Sequence, residues 1–433
     1  LTGDFLITAD GVLAEPGALW RQGAVWVRAG RVAAVGGRAE FPERPDCPVV
    51  DLPGRVLTPG LVNAHAHIEY ACLAGRFEPE PFPRWLGRMI AAKRAMSLES
   101  VPDPARRALA DQLRRGTTAI GDISTFGLSP ALLRASGMRF RVFHEVIGLE
   151  VPEETGGWDD LEGKVWSDTS DLGPLGAWGI APHAPYTVSR PLMAALRARF
   201  QTEPCALPFS IHLAETRSER TCLERQSGFL ARGLRRAGFY PAPPDRAPLA
   251  SSPLDFVTAG RSAHARDLVV HGNFLKAGEM RQLAAMTGVS LVVCPGTRRF
   301  HGVREPALDR AVRAGLTVAL GTDSAASNDC PDLWSEMCRA LDQSRLWCAT
   351  DAWRAATVGG AEALGLECGA LRPGLWADLM AVRLDGAATA LTASLAPGCY
   401  GENEADALLD TWLRGEAFPE VERVWVGGKL MEK

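Results

Sequence analysis

Eight short apolar runs recur through the middle of the chain, at 57–67, 116–124, 139–148, 176–189, 208–216, 267–275, 289–297 and 317–328. Each ends in polar residues, and stretches with helical spacing lie between them. In 305–314, Leu308, Ala311 and Val312 form an apolar stripe that Gly315 stops. Another helix starts at Ser189, a good N-cap, with Pro191 in its first turn. Eight strands alternating with helices predict a closed parallel (β/α)8 TIM barrel. An open doubly wound sheet is the competing arrangement, but the glycine-rich phosphate loop after its first strand is missing.

The two ends have another rhythm. Residues 1–56 show short alternating runs separated by turn residues, as do 369–384 and 422–429. These hairpin signals predict a composite β-sandwich from 1–56 and 366–433, beside a catalytic barrel over 57–365. The stretch 236–260, rich in Pro, Ala and Ser, reads either as a lid over the barrel mouth or as a surface insertion without a role. Residues 150–175, polar and Gly-rich, read as a loop.

Composition narrows the functions. Among 433 residues, 46% are hydrophobic and 23% charged, a globular balance. A net charge of −4 with scattered Lys and Arg argues against a nucleic-acid partner, which needs a basic face. No apolar run is long enough to span a bilayer, and LTGDFLITADGV lacks the marks of a signal peptide. Ten dispersed cysteines with no CxxC pair suit a reduced, cytoplasmic protein. A small-molecule substrate is the expected partner, and a homodimer is left open.

Six of the eight histidines lie at or near the carboxyl ends of predicted strands: His65, His67, His144, His183, His212 and His271. In a parallel barrel those ends share one rim. His65 and His67, two apart, point the same way. With His212 after strand five and Asp323 after strand eight they make a nitrogen/oxygen set suited to one Zn²⁺, Fe²⁺ being the second choice. Asp323 read alone would be a helix N-cap. Glu215, three residues past His212, can shuttle a proton, or can be a first-turn glutamate favoured by the helix dipole. His271 can hold or deprotonate a nucleophilic water, or be a buried structural histidine. His183 is expected to point at the substrate. Glu145 can accept hydrogen bonds from sugar hydroxyls or serve as a buried ion-pair partner. His264 and His301 fall outside the pattern.

Together, GLVNAHAH, HAPYT, HLAET, the histidine after strand six, GTDS and the tail GALRPGLWADL resemble the amidohydrolase superfamily nearly end to end. The resemblance implies a distorted TIM barrel plus a composite β-sandwich, and one metal held by His65, His67, His212 and Asp323. GAWGIAPHAPYTVS carries no lysine to bridge two metals, which favours the mononuclear deaminase branch. Within that branch the chain is most similar to aminodeoxyfutalosine deaminases of the menaquinone pathway. The similarity rests on Asn63, His65, His67 and Glu69, on Phe82, Trp85 and Leu86, and on 145–148. Methylthioadenosine, S-adenosylhomocysteine, guanine and triazine substrates stay open, as does a catalytically silent scaffold.

By the same resemblance Glu69 is a ribose-hydroxyl ligand or a solvated or ion-paired carboxylate, and Trp85 belongs to the substrate site. Arg84, Arg88 and Arg298 are contacts for an acidic substrate group, or solvated residues. Cys294-Pro295-Gly296-Thr297-Arg298 departs from the C-P-x-S-N run of relatives, with Thr297 keeping the hydroxyl. The implied chemistry is hydrolytic deamination of an adenine-type ring. Asp323 and His271 handle the water's proton, and Glu215 protonates the ring nitrogen.

Overall fold

The alternating segments at the two ends of the chain pair with each other. The computed structural model describes residues 3–43, 45–152, 158, 172–201, 206–236 and 249–432. Strands β1 (Phe5–Glu15), β2 (Ala18–Arg28), β3 (Arg31–Gly37) and β4 (Val49–Pro59) come first. The barrel strands follow: β5 (Leu61–Ala66), β6 (Thr117–Ser124), β7 (Arg139–Val146), β8 (Gly176–Pro182), β9 (Phe209–Leu213), β10 (Asp267–His271), β11 (Val289–Val293) and β12 (Thr317–Leu320). The chain returns through β13 (Leu379–Arg383), β14 (Gly398–Tyr400), β15 (Val421–Val426) and β16 (Lys429–Leu430).

In the terminal sheet β1 lies antiparallel to β2 and parallel to β4, and β13 sits antiparallel between β4 and β15. Residues from both ends, including Phe5, Ile7, Val25, Leu379 and Trp425, share one buried cluster. The tight turn from β2 to β3 puts Ala29 and Gly30 at φ 49° and 75°, as a two-residue hairpin loop requires. A Cβ on Gly30 would lie 2.6 Å from the Gly427 carbonyl oxygen, so that close approach also demands glycine.

The barrel strands pair in parallel in chain order from β5 to β12. The ring closes where the Asp323 N–H donates to the His65 carbonyl at 3.0 Å. The predicted run 57–67 proves to be two strands. Its first three residues end β4, and the break falls at Gly60, where a Cβ would stand 2.1 Å from the Thr118 side chain. The runs 176–189 and 317–328 leave their strands at Pro182 and Leu320, so their polar ends are rim loops. Val62, Ala64, Ile123, Phe143, Leu268, Val270, Val292 and Ala319 form one buried cluster of strand residues spaced by two, which packs the barrel interior.

The helical signals hold locally. Ser189 Oγ accepts the Leu192 N–H at 3.1 Å and caps the helix Arg190–Phe200. Gly315 ends the helix Ala307–Ala314 at φ 72°. Two helices between β13 and β15, Gly386–Ser394 and Glu402–Leu413, were not part of the hairpin reading. The second lays Trp412 against Trp334 and Trp353, with ring centroids 6.3 and 6.1 Å away. Most of the predicted 150–175 loop, and 237–248 of the proposed lid, lie outside the described residues. Among the described residues no helix is long and apolar enough to cross a membrane.

Candidate active site

Four side chains from three distant parts of the chain meet at the carboxyl rim. His67 Nε2 lies 3.4 Å from His212 Nε2. His65 Nε2 and His67 Nε2 lie 3.7 and 3.6 Å from Asp323 Oδ1. All four residues are buried or nearly so, and the three imidazoles can offer ligand atoms within 4.8 Å of one another.

Backbone strain aims part of this set. His271 and Asp323 take φ of 73° and 56°, and Ala214, next to Glu215, takes 50°. Such values are uncommon for residues with a Cβ and cost about 1–3 kcal/mol each. In β10, Leu268 and Val270 belong to the interior cluster and Val269 to the outer one, so alternation alone would point His271 outward. The left-handed turn brings its ring to 5.5 Å from that of His212. Asn63 ties the first and last barrel strands together. Its amide donates to Thr322 Oγ1 at 2.8 Å, and its oxygen accepts the Thr322 N–H at 3.1 Å.

Protonation states suit a cation. Burial, then the charge of His65, pushes the His67 imidazole well below its ordinary range. Burial lowers His212 to about 3 and His183 to about 4, and lowers His271 strongly. These rings are neutral near pH 7 and keep lone pairs. For Asp323, burial pushes the pKa up. The neighbouring His65, His271 and His67 outweigh it and hold the carboxyl ionised. His212 Nδ1 donates to the His183 carbonyl at 2.8 Å, leaving Nε2 as the lone-pair nitrogen.

Both His65 ring nitrogens and the Nδ1 atoms of His67 and His271 are buried without a hydrogen-bond partner. An orphaned buried polar atom costs about 1–3 kcal/mol; a divalent ion at this point would engage the free nitrogens that face it. The donor set fits a divalent metal. Cys294 approaches His271 and Asp323 in the same way, and burial pushes its thiol well above the ordinary range. Thr297 Oγ1 donates to Asp323 Oδ2 at 2.8 Å and so orients that carboxylate.

Glu215 faces this group with its Oε1 3.8 Å from His271 Nε2. Burial, then the charges of Asp323 and Glu219, raises its pKa well above the carboxylate range. A raised pKa favours the protonated form, which a general acid requires. The Glu215 N–H donates to Glu219 Oε2 at 2.8 Å, and its carbonyl accepts from Asn273 Nδ2 at 3.1 Å.

A cavity of about 490 Å³ opens onto these residues. His183, Glu145 and Trp85 line it, as expected of substrate contacts. His183 Nδ1 lies 2.6 Å from Thr187 Oγ1, and Trp85 Nε1 donates to the Ala326 carbonyl at 2.8 Å. Glu69, Arg88 and Arg298 are placed outside the lining, each for a visible reason. Glu69 is fully buried and accepts six hydrogen bonds, from the backbone of Thr125, Phe126, Leu128 and Ser129 and the hydroxyls of Ser124 and Ser129. Arg88 pairs with Glu80 at 2.9 Å on the exposed side of its helix. Arg298 is turned inward to Gln343, Asn273 and the Glu305 carbonyl. Arg84 is exposed and also off the lining. The cavity residues Tyr70, Lys93 and Ser327 were not singled out in the sequence reading, and Ser324 entered it only as the end of GTDS. A lysine at helical spacing from Leu86 and Met89 was the available signal for Lys93.

Known proteins resemble this chain in sequence and in fold. The model described as "Amidohydrolase family" matches residues 56–431. The 5-methylthioadenosine/S-adenosylhomocysteine deaminase of Haloquadratum walsbyi is 30% identical, over 78% of this chain and 73% of that protein. The aminofutalosine deaminase of Helicobacter pylori superposes with a TM-score of 0.83 at 23% identity, covering 99% of this chain and all of the other. An adenosine deaminase from Xanthomonas campestris with bound zinc superposes with a TM-score of 0.75 at 26% identity, covering 99% and 92%.

Proposed function

This chain belongs to the amidohydrolase family, and we propose that it hydrolytically removes the 6-amino group of an adenosine derivative, with 6-amino-6-deoxyfutalosine as the first substrate to test. The observation that carries the reading is the conjunction of the His65, His67, His212 and Asp323 set with a buried Glu215 of raised pKa on one cavity. Methylthioadenosine and S-adenosylhomocysteine form the second reading, favoured by the names of relatives at 30% identity. The superposition on an aminofutalosine deaminase supports the shared fold.

We assign the metal as zinc, held by those four residues; when bound, such an ion lowers the pKa of water and supplies hydroxide near neutral pH. The chain's own groups do the rest. Asp323 and His271 Nε2 accept the water's proton as the water oxygen bonds to the amino-bearing ring carbon. Glu215 donates its carboxyl proton to the adjacent ring nitrogen, so that negative charge does not accumulate on the ring. The C–N bond then breaks, and ammonia leaves after protonation through the same groups. His183 and Glu145 lie on the cavity wall to orient the base and the sugar, and Glu69 acts by fastening the loop beneath the first metal-binding segment.

Purified enzyme loaded with Zn²⁺ should release ammonia from adenosine derivatives, with the purine absorbance changing as the 6-oxo product forms. Metal bound at one equivalent but no ammonia from any adenosine derivative would refute the proposal.

A further inference from the structure

A second cavity, of about 930 Å³, shares no lining residue with the catalytic one. It is walled by the helices Pro295–Phe300, Ala307–Ala314 and Leu333–Gln343 and by the chain that follows the first and the last of them. Six arginines line it, Arg298, Arg299, Arg304, Arg313, Arg339 and Arg345, against three carboxylates, in a chain whose net charge is −4. Most of the opposing charge is already committed. Glu305 pairs with Arg217 at 3.0 Å and Arg310 at 3.8 Å. Asp309 is buried and accepts the Ser344 hydroxyl at 2.6 Å and the Arg345 N–H at 3.1 Å. Arg339 is balanced by Glu336 and Asp329 at 2.9 and 2.8 Å. Arg299, Arg304, Arg313 and Arg345 are exposed and have no ion-pair partner among the described residues. Like charges gathered round one hollow raise its potential and concentrate anions there.

Arg298, turned away from the catalytic cavity, lines this one and is 4% exposed. Its hydrogen-bond partners are all uncharged groups: Gln343 Oε1 at 2.9 Å, Asn273 Oδ1 at 2.8 Å and the Glu305 carbonyl. Three of its five N–H groups are so used, and two are left. Burial, then the charge of Arg310, lowers its pKa to about 10, so the guanidinium stays charged near pH 7. Asn273, which Arg298 holds by its amide oxygen, donates through Nδ2 to the Glu215 carbonyl at 3.1 Å. One buried cation thus joins the wall of the second cavity to the backbone of the acid in the first.

We propose that this cavity is a second ligand site, for a linear polyphosphate that is free or carried by a nucleotide, and that its occupancy reaches Glu215 through Arg298 and Asn273. Guanidinium forks match phosphate oxygens in pairs. The volume falls in the range of small-molecule sites, and with arginines on all three helices it suits several phosphates in a row rather than one. An anion drawing on Arg298 competes with Asn273 for it and loosens the contact on Glu215. The link to Glu215 rests on the deaminase reading above; binding itself does not.

Calorimetric titration of the metal-loaded enzyme at fixed ionic strength, with tripolyphosphate, ATP and orthophosphate, tests the site. Tripolyphosphate should bind once per chain and at least about tenfold more tightly than orthophosphate, since each added exposed ion pair is worth about threefold. Tighter binding of ATP makes a nucleotide the source, and tighter binding of tripolyphosphate makes it the free chain. Arg304→Gln combined with Arg345→Gln should weaken tripolyphosphate about tenfold. Both side chains are exposed and off the catalytic cavity, so Tm, metal content and basal ammonia release should not change. At saturation tripolyphosphate should lower kcat/KM at least about twofold, and the half-effect concentration should rise with Kd in the double variant. No saturable binding, or binding that the double substitution leaves unaltered, overturns the site. Inhibition at the same concentrations in both proteins is chelation of the ion and overturns the link. Absence of ammonia release from every adenosine derivative sinks the deaminase reading instead, and calorimetry still decides the site.

Discussion

Replacing Glu69 by glutamine separates two roles that one carboxylate could have. If it gripped sugar hydroxyls, the amide would keep the fold and weaken substrate binding. In the structure Oε1 accepts four hydrogen bonds and Oε2 accepts the N–H groups of Thr125 and Phe126 at 2.8 and 2.7 Å. An amide has one acceptor oxygen, so its NH2 must face at least two backbone donors. Two charge-assisted bonds at about 1.5–3 kcal/mol each put the loss near 3–6 kcal/mol. At about 2.1 cal/mol/K per residue, 433 residues unfold with roughly 0.9 kcal/mol/K of entropy. The expected drop in Tm is therefore about 3–7 °C, read by calorimetry on metal-loaded protein. KM for adenosine and for free adenine should move together, since the loop and not the sugar is affected. An unchanged Tm with KM raised for nucleosides alone would refute this reasoning and return Glu69 to the sugar.

Other substitutions probe the centre itself. Glu215→Gln should retain one metal per chain by elemental analysis and lose at least about a hundredfold in kcat; near-normal turnover removes Glu215 as the acid. Glu219→Gln deletes a negative charge that helps keep Glu215 protonated. The Glu215 pKa then falls, and the alkaline limb of the kcat/KM profile should move to lower pH; an upward shift contradicts the assignment. Thr297→Val removes the hydroxyl on Asp323 Oδ2 and should weaken metal binding about tenfold in competition with a chromophoric chelator. Exhaustive chelation should abolish activity and lower Tm, with Zn²⁺ restoring both, because an ion bound only by the native state stabilises it.

Much of this was legible in the chain because a parallel barrel converts sequence position into spatial position. A histidine or aspartate closing an apolar run lands on the rim whatever lies between the runs, and His65, His67, His212 and Asp323 did so. The composite sheet was visible in the alternation of both ends. Side-chain commitments were not legible. Glu69 and Arg298 carry charges that suit a ligand, yet tertiary partners had already claimed them. Nothing in DLVVHGN announces that His271 sits at positive φ, and strand periodicity alone aims it the wrong way. Asn63 stood within the first motif, but its bonds to Thr322 reach across 259 residues. Lys93 and Arg94 drew no attention in the sequence, and only the folded chain brings them to the cavity wall.

The ring closes through the backbone of His65 and Asp323, which come from its first and last strands, so the centre straddles the seam of the barrel. During synthesis the opening half of the donor set emerges long before its complement. A nascent chain halted between residues 212 and 323 holds three imidazoles of the set but not Asp323. On the metal reading proposed above, the donor set is complete only once the last barrel strand has been made, while the strands that finish the terminal sheet are still to come.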